Sequence, residues 1–97
     1  MASYILLGSF TDQGIRAVKD TTKRAETLQK IGKKAGVTLR DVFWTLGQYD
    51  VAAVLSAGDD ADVTAFALSV AKLGNVRTQI LRAFSAEEMA GILTKVG

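Results

Sequence analysis

The chain contains no cysteine and no histidine among its 97 residues. These absences exclude thiol redox chemistry, structural zinc sites and Ser-His or Cys-His catalysis. Any general acid or base must therefore be a carboxylate, a lysine or a tyrosine with a shifted pKa. The sequence also has no Gly-rich phosphate loop, no nucleophile elbow and no carboxylate cluster typical of a metal site. We therefore expect neither a metal nor a cofactor.

Excess charge and long apolar runs are also missing. The formal net charge is only +2, which is too small to predict a nucleic-acid partner. Most of the basic excess lies between Arg16 and Lys34 on one predicted helix, where a solvated face explains it. The N-terminal residues resemble a strand rather than a signal peptide, and no stretch reaches the length of a transmembrane helix. These features predict a cytoplasmic protein without a membrane partner.

Hydrophobic periodicity predicts four strands and three helical regions. The strands are expected at Tyr4–Phe10, Val37–Leu46, Tyr49–Ala57 and Val76–Phe84, and the helices at residues 12–36, 60–73 and 85–97. The first helix should bend near Asp20, where helix-breaking and capping residues cluster, and end at Gly36. Gly47-Gln48 predicts a two-residue type II′ hairpin, and Ser85 with Glu88 predicts a capping box.

The order β-α-β-β-α-β with a final helix is typical of the ferredoxin-like α+β fold. It predicts right-handed crossovers, an antiparallel sheet in the order 4-1-3-2, and one domain spanning residues 1–97. Both long helices should cover the same face of this sheet.

The other face of the sheet is expected to be apolar as well. Strict alternation sets Ile5 and Leu7 against Tyr4, Leu6 and Phe10 in the first strand. In the second strand it sets Val37, Leu39 and Phe43 against Val42, Trp44 and Leu46, and in the third Val51, Ala53 and Leu55 against Ala52 and Val54. A lone chain would expose several hundred Å² of apolar surface, whose burial contributes roughly 10 kcal/mol before association costs. The pattern therefore predicts a homodimer or a larger even-numbered oligomer, with two sheets packed into an α+β barrel.

Two groups of residues are candidates for a small-molecule site. Tyr49 and Asp50 at the hairpin could act as donor and base, although turn chemistry explains the same residues. Tyr4, Trp44 and Arg77, with Gln79, could converge on one side of the sheet, where tryptophan stacks on a planar ligand and arginine binds an anion. A subunit interface explains these aromatic and arginine residues equally well.

Four segments in order resemble the GYD domain family: Phe-Thr-Asp-Gln-Gly-Ile-Arg (10–16), Phe-Trp-Thr-Leu-Gly-Gln-Tyr-Asp (43–50), Leu-Gly-Asn-Val-Arg-Thr (73–78) and Leu-Arg-Ala-Phe (81–84). The Gly-Tyr-Asp signature of the family is matched by Gly47, Tyr49 and Asp50 with Gln48 inserted. Thr22 stands where many relatives have proline in the helix bend, which leaves the bend less rigid. The resemblance implies a dimeric α+β barrel from a bacterial-type family and implies little about activity.

Two functions remain open from the sequence. The first is a homo-oligomeric binding or assembly module, since no complete catalytic constellation accompanies the two-sided apolar sheet. The second is a cofactor-independent monooxygenase or isomerase acting on a planar or phenolic molecule, by analogy with relatives of the fold. RNA binding is disfavoured, because the third strand has none of the base-stacking aromatics of RNA-recognition modules.

Overall fold

The computed structural model describes residues 1–97, with four strands and four α-helices. In chain order the elements are β1 (Ala2–Phe10), α1 (Asp12–Arg16), a 3-10 turn (Val18–Asp20), α2 (Thr21–Ala35), β2 (Val37–Trp44), β3 (Val51–Ala57), α3 (Asp60–Lys72), β4 (Val76–Ala83) and α4 (Ala86–Leu93). The predicted β-α-β-β-α-β order with a C-terminal helix is confirmed. No helix is long and apolar enough to cross a membrane.

The strands form one antiparallel sheet in the order β2-β3-β1-β4, which is the predicted order written from the other edge. Directly opposed residues point to the same face, so the register assigns each paired strand residue to one of the two faces of the sheet. Tyr4 lies between Leu55 and Arg82, and Leu7 lies between Ala52 and Gln79. The row that contains Tyr4 belongs to the face covered by α2 and α3, and the row that contains Leu7 belongs to the uncovered, open face.

The core lies between the covered face and the two long helices. Its largest fully buried side chains are Phe66 on α3, Leu55 on β3 and Val37 on β2. The other buried apolar residues are Tyr4, Leu6, Ala53, Ala57, Val63 and Val70. All nine come from the covered face or from α3, so one side of the sheet supplies the whole buried core.

The helix boundaries follow the capping signals in most places. The expected bend occurs as the 3-10 turn before α2, but the side chain of Asp20 makes no capping hydrogen bond. Gly36 ends α2 in the left-handed region at φ 77°, as predicted. The predicted capping box is also confirmed, because Ser85 and Glu88 exchange both reciprocal hydrogen bonds at the start of α4.

The prediction of a two-residue hairpin was wrong. Strand β2 ends at Trp44 and β3 begins at Val51, so residues 45–50 form the connection. The carbonyl oxygen of Asp50 accepts from the N–H of Thr45 at 2.8 Å, so the two strands stay bonded just beyond their ends. Asp50 also makes two bonds to β1: its N–H donates to the carbonyl oxygen of Gly8 at 2.8 Å, and its carboxylate accepts from the N–H of Phe10 at 2.9 Å. These two bonds draw the loop toward β1, and Gly47 supplies the positive φ, 123°, that the wider loop requires.

The expected alternation in the second strand was also wrong after its midpoint. The pairing with β3 skips from Leu39 to Asp41, so Arg40 is the extra residue of a β-bulge. An extra residue reverses the faces of everything that follows it. Val42 and Trp44 therefore join Val37 and Leu39 on the covered face, and Phe43 moves to the open face.

The open face has no helix over it. Its apolar side chains are Ile5, Leu7, Phe43, Ala52, Val54 and Leu81. Phe43 is 57% exposed and Leu81 is 41% exposed. Helix α4 does not shield them, because it packs substantially against no other element, and its own Met89 and Leu93 are exposed. The chain therefore leaves two apolar surfaces uncovered, one on the sheet and one on α4.

Candidate functional site

A cavity of about 260 Å³ lies on the covered side of the sheet, between α2 and the strands. Its walls are mainly apolar and include Leu6, Leu28, Val42, Trp44, Val51 and Val70. Small-molecule sites in proteins are typically apolar clefts of this kind with a few placed polar groups. We call this space the α2 cavity.

Trp44 borders the α2 cavity at the end of β2. Its indole N–H donates to the hydroxyl oxygen of Thr21 at 2.9 Å, which links the end of β2 to the first residue of α2. The bulge at Arg40 is what turns Trp44 toward the helices. The side chain remains 44% exposed, so it lies between the cavity and solvent.

Arg24 is the charged residue that lines the α2 cavity. One guanidinium nitrogen, Nη2, donates to the carbonyl oxygen of Gly14 at 3.1 Å. Arg24 has no carboxylate within ion-pairing distance, since the single ion pair of the protein joins Arg82 to Glu88 at 3.9 Å. A guanidinium carries five N–H donors, so most of them are free to bind an anion.

Asn75 contacts Gly14, as Arg24 does, but through its backbone. A Cβ atom on Gly14 would overlap the backbone carbonyl oxygen of Asn75, so only glycine permits this close approach. The side-chain oxygen of Asn75 accepts from Nε2 of Gln13 at 3.0 Å, which leaves its amide N–H groups as donors. Asn75 also lines the α2 cavity, so two side chains with N–H donors border it.

Tyr4 lies in a separate groove between α3 and β4. Its hydroxyl donates to Oδ1 of Asp60 at 2.6 Å. This hydrogen bond, followed by burial of the phenol, raises the pKa of Tyr4 above its usual value of 10.0, although the Arg82 charge opposes the shift. The Arg82 guanidinium lies 5.5 Å from the centre of the Tyr4 ring and 4.4 Å from that of Phe84. Tyr4 thus ties the covered face of β1 to the start of α3.

The other three candidate residues lie near the loop and the open face. The Tyr49 hydroxyl donates to the side-chain oxygen of Gln79 at 3.1 Å. The Asp50 carboxylate accepts a hydrogen bond from the N–H of Phe10, so it holds the loop against β1. Arg77 is opposite Ser9 on the open face and is exposed.

The expected convergence of Tyr4, Trp44 and Arg77 on one side of the sheet is therefore wrong. Alternation along β4 places Arg77 on the open face, whereas Tyr4 and Trp44 lie on the covered face in different depressions. Sequence reasoning missed Arg24, which is the arginine beside Trp44. Its helical spacing could have identified it. Arg24 is four residues before the apolar Leu28 and three after Thr21, so all three share one face of α2.

The acidic residues around the start of α3 have structural contacts. Asp59 caps α3 by accepting from the N–H of Asp62 at 3.0 Å, and Asp60 accepts from Tyr4. No three acidic side chains are grouped so that they could hold a metal ion.

Comparison with protein families matches the GYD domain over residues 4–93. A relative from Thermus thermophilus is 31% identical over 90 residues, covering 92% of this chain and 95% of the relative. That protein is named "Glutamine synthetase and cystathionine beta-lyase binding protein".

Two solved structures share the fold. A crystal structure of a protein from Thermus thermophilus superposes with a TM-score of 0.58 at 20% identity, covering 89% of this chain and 96% of that one. The crystal structure of FFRP-DM1 gives a TM-score of 0.57 at 16% identity, covering 87% of this chain and all of that one, 100%. At these identities the likeness concerns the fold alone.

Proposed function

This chain belongs to the GYD domain family, and we propose that it is a homo-oligomeric binding module. In this proposal two copies pack their open sheet faces together about a two-fold axis, and the resulting dimer binds another protein. The observation that carries the proposal is the uncovered apolar face built around Phe43, Ile5 and Leu81.

The dimensions of the open face support a second copy as its occupant. Four strands spaced about 4.8 Å apart and about seven residues long present roughly 450 Å² per chain. Two such faces bury roughly 900 Å², a little less than the roughly 1,000 Å² expected of a specific interface. A two-fold dimer joins the same surface of both copies, so the two apolar faces match in size and character.

Helix α4 supplies the additional area in this proposal. Its exposed apolar residues, Met89 and Leu93, with Val96 just beyond its end, have no partner within the chain. The capping box keeps the helix formed although it packs on little else. Packing α4 against the second copy makes the buried area of the interface larger than that of the two sheet faces alone.

The Thermus thermophilus relative supports a protein as the further partner, because its name describes binding of two enzymes. The cytoplasmic location and bacterial origin expected from the sequence stay part of the proposal, and this bacterial relative favours them. Binding is also favoured over catalysis by the α2 cavity, whose lining contains no carboxylate, phenol or amine for proton transfer.

Sedimentation equilibrium at micromolar concentration tests the dimer. The wild-type chain should sediment with twice the monomer mass. Phe43→Asp should sediment as a folded monomer, because a carboxylate buried in the contact is desolvated without a partner. Leu68→Asp is the matched control, since Leu68 is an exposed apolar residue on α3, away from the open face. A wild-type monomer, or equal dissociation of both variants, would refute the sheet-to-sheet dimer.

Size-exclusion chromatography with purified enzymes tests the further partner. We expect the chain to co-elute with glutamine synthetase or with cystathionine β-lyase. If both enzymes elute separately from the wild-type dimer, the inference from the relative fails while the dimer stands.

A further inference from the structure

The α2 cavity has the size and chemistry of a binding site for a small amphipathic anion. A water molecule occupies about 30 Å³ of liquid, so a cavity of about 260 Å³ has room for roughly nine groups of that size. The cavity opens to solvent beside Trp44, which is 44% exposed, so a ligand can enter it without unfolding of the chain.

Four polar residues line the cavity: Thr21, Arg24, Thr27 and Asn75. Arg24 and Asn75 each contact Gly14, and both retain N–H donors that no protein acceptor uses. Donors without acceptors and a cation without a counter-ion favour a negatively charged oxygen ligand. Arginine binds carboxylates with two parallel hydrogen bonds, which fixes both the position and the orientation of the ligand.

Apart from Thr21 and Thr27, the rest of the cavity lining is apolar. Leu28, Val42 and Val51 offer a ligand only dispersion contacts, and Trp44 adds an indole face or edge. A ligand that fills this space therefore has a hydrocarbon or aromatic body, and its single charged group lies at the Arg24 end.

We propose that the α2 cavity binds a small organic monocarboxylate of about eight to ten non-hydrogen atoms, with its carboxylate on Arg24 and Asn75 and its apolar body between α2 and the sheet. The site is independent of the proposed dimer, because the cavity and the open face lie on opposite sides of the sheet. Trp44 forms part of the wall on the solvent side, where its bond to Thr21 holds it.

Titration with octanoate tests the proposal, because octanoate has ten non-hydrogen atoms and 1-octanol is its uncharged counterpart. Trp44 is the only tryptophan of the chain and borders the cavity, so its fluorescence reports binding directly. We expect saturable octanoate binding and a rise in the melting temperature of the protein.

Three variants separate the parts of the site. Arg24→Gln should weaken octanoate binding roughly 10- to 100-fold, as expected for the loss of charge-assisted hydrogen bonds, and leave 1-octanol binding unchanged. Lys23→Gln is the matched control, because it removes the same charge from the exposed neighbour. Ala25→Leu adds carbon atoms to the wall of the cavity and should weaken both ligands.

The proposal is overturned if the wild-type protein binds neither probe saturably, or if it binds 1-octanol as tightly as octanoate. It is also overturned if Arg24→Gln and Lys23→Gln bind octanoate equally well. A folded Ala25→Leu variant that keeps full affinity for both probes would place the binding elsewhere and refute the assignment.

Discussion

The two faces of the sheet are built from similar side chains but differ in what covers them. On the covered face, Leu6 and Leu55 are 5% and 0% exposed beneath α2 and α3. On the open face, Ile5 and Phe43 are 38% and 57% exposed. The difference teaches that the covered face determines whether the chain folds, whereas the open face is available to determine whether it associates.

The largest expected effect is the loss of Phe66, the fully buried aromatic residue of α3. Phe66→Ala leaves a cavity against the covered face and should lower the free energy of unfolding by about 3–5 kcal/mol. Urea denaturation should show the loss at every protein concentration, because the contact is within one chain.

Phe43→Ala makes the same chemical change on the open face and provides the comparison. At protein concentrations low enough for monomers it should change the free energy of unfolding by about 0.5 kcal/mol or less. At higher concentrations the wild type should gain stability that the variant lacks, because association stabilises only the folded state. Equal losses from the two changes at low concentration would contradict the distinction between the faces.

A loss between those of Phe66→Ala and Phe43→Ala is expected at the end of the sheet, where Asp50 belongs to neither apolar surface. Asp50→Ala removes the acceptor for the N–H of Phe10 and should cost about 1.5–3 kcal/mol in urea denaturation. Asp20→Ala is the control, because the Asp20 side chain caps nothing. If both variants are equally stable, the loop is not held by this carboxylate and the family's Gly-Tyr-Asp segment needs another explanation.

The distinction between the faces also separates what the sequence could predict from what it could not. The element order, the strand order and the capping box follow from local periodicity and capping chemistry, and the structure agrees with them. The face of Phe43 depends on a single extra residue at Arg40, and nothing in the composition of Val37–Trp44 marks a bulge. One unpaired residue is enough to reverse the orientation of every later side chain in the strand.

The candidate site failed for a related reason. Predicting that Tyr4, Trp44 and Arg77 converge required the relative faces of three strands at once, and the register places Arg77 of β4 on the open face, opposite to the other two. Arg24 and Asn75 are 51 positions apart, and both line the α2 cavity because Gly14 bonds to Arg24 and lets the backbone of Asn75 approach α1. Such long-range contacts depend on packing, which local pattern does not encode.

A still smaller effect, with a pH dependence, is expected on the covered side. Tyr4→Phe removes the hydrogen bond to Asp60 and should lower stability modestly near neutral pH. The pKa of Tyr4 is raised in the folded state, so its contribution is complete below the unfolded value of 10.0 and is lost as the pH rises through the higher folded value. Urea midpoints measured from about pH 7 to about pH 11 should therefore converge for the wild type and the variant only at the alkaline end. A constant difference across this range would rule out ionisation of Tyr4 as its cause.

The smallest effect on the fold is expected in α4, which packs on neither face of its own chain. The bond from the Ser85 backbone N–H lowers the pKa of Glu88 below its usual 4.5. The charged form therefore supports the capping box fully above pH 4.5, and that support is lost as the pH falls through the lower folded value. Glu88→Gln should remove this pH dependence while keeping a hydrogen-bonding side chain in the box.

The measurement is the helical Cα chemical shift of residues 86–93, recorded as a function of pH. It uses the monomeric Phe43→Asp variant as the parent protein. Ser85→Ala in that parent is the control, because it removes the cap at all pH values. Acid should unwind α4 in the parent and leave the shifts of β1 and β3 unchanged, because α4 packs substantially against no other element. If the strands lose their shifts together with α4, the helix is coupled to the covered core. Its apolar residues would then not be free to pack against a second copy.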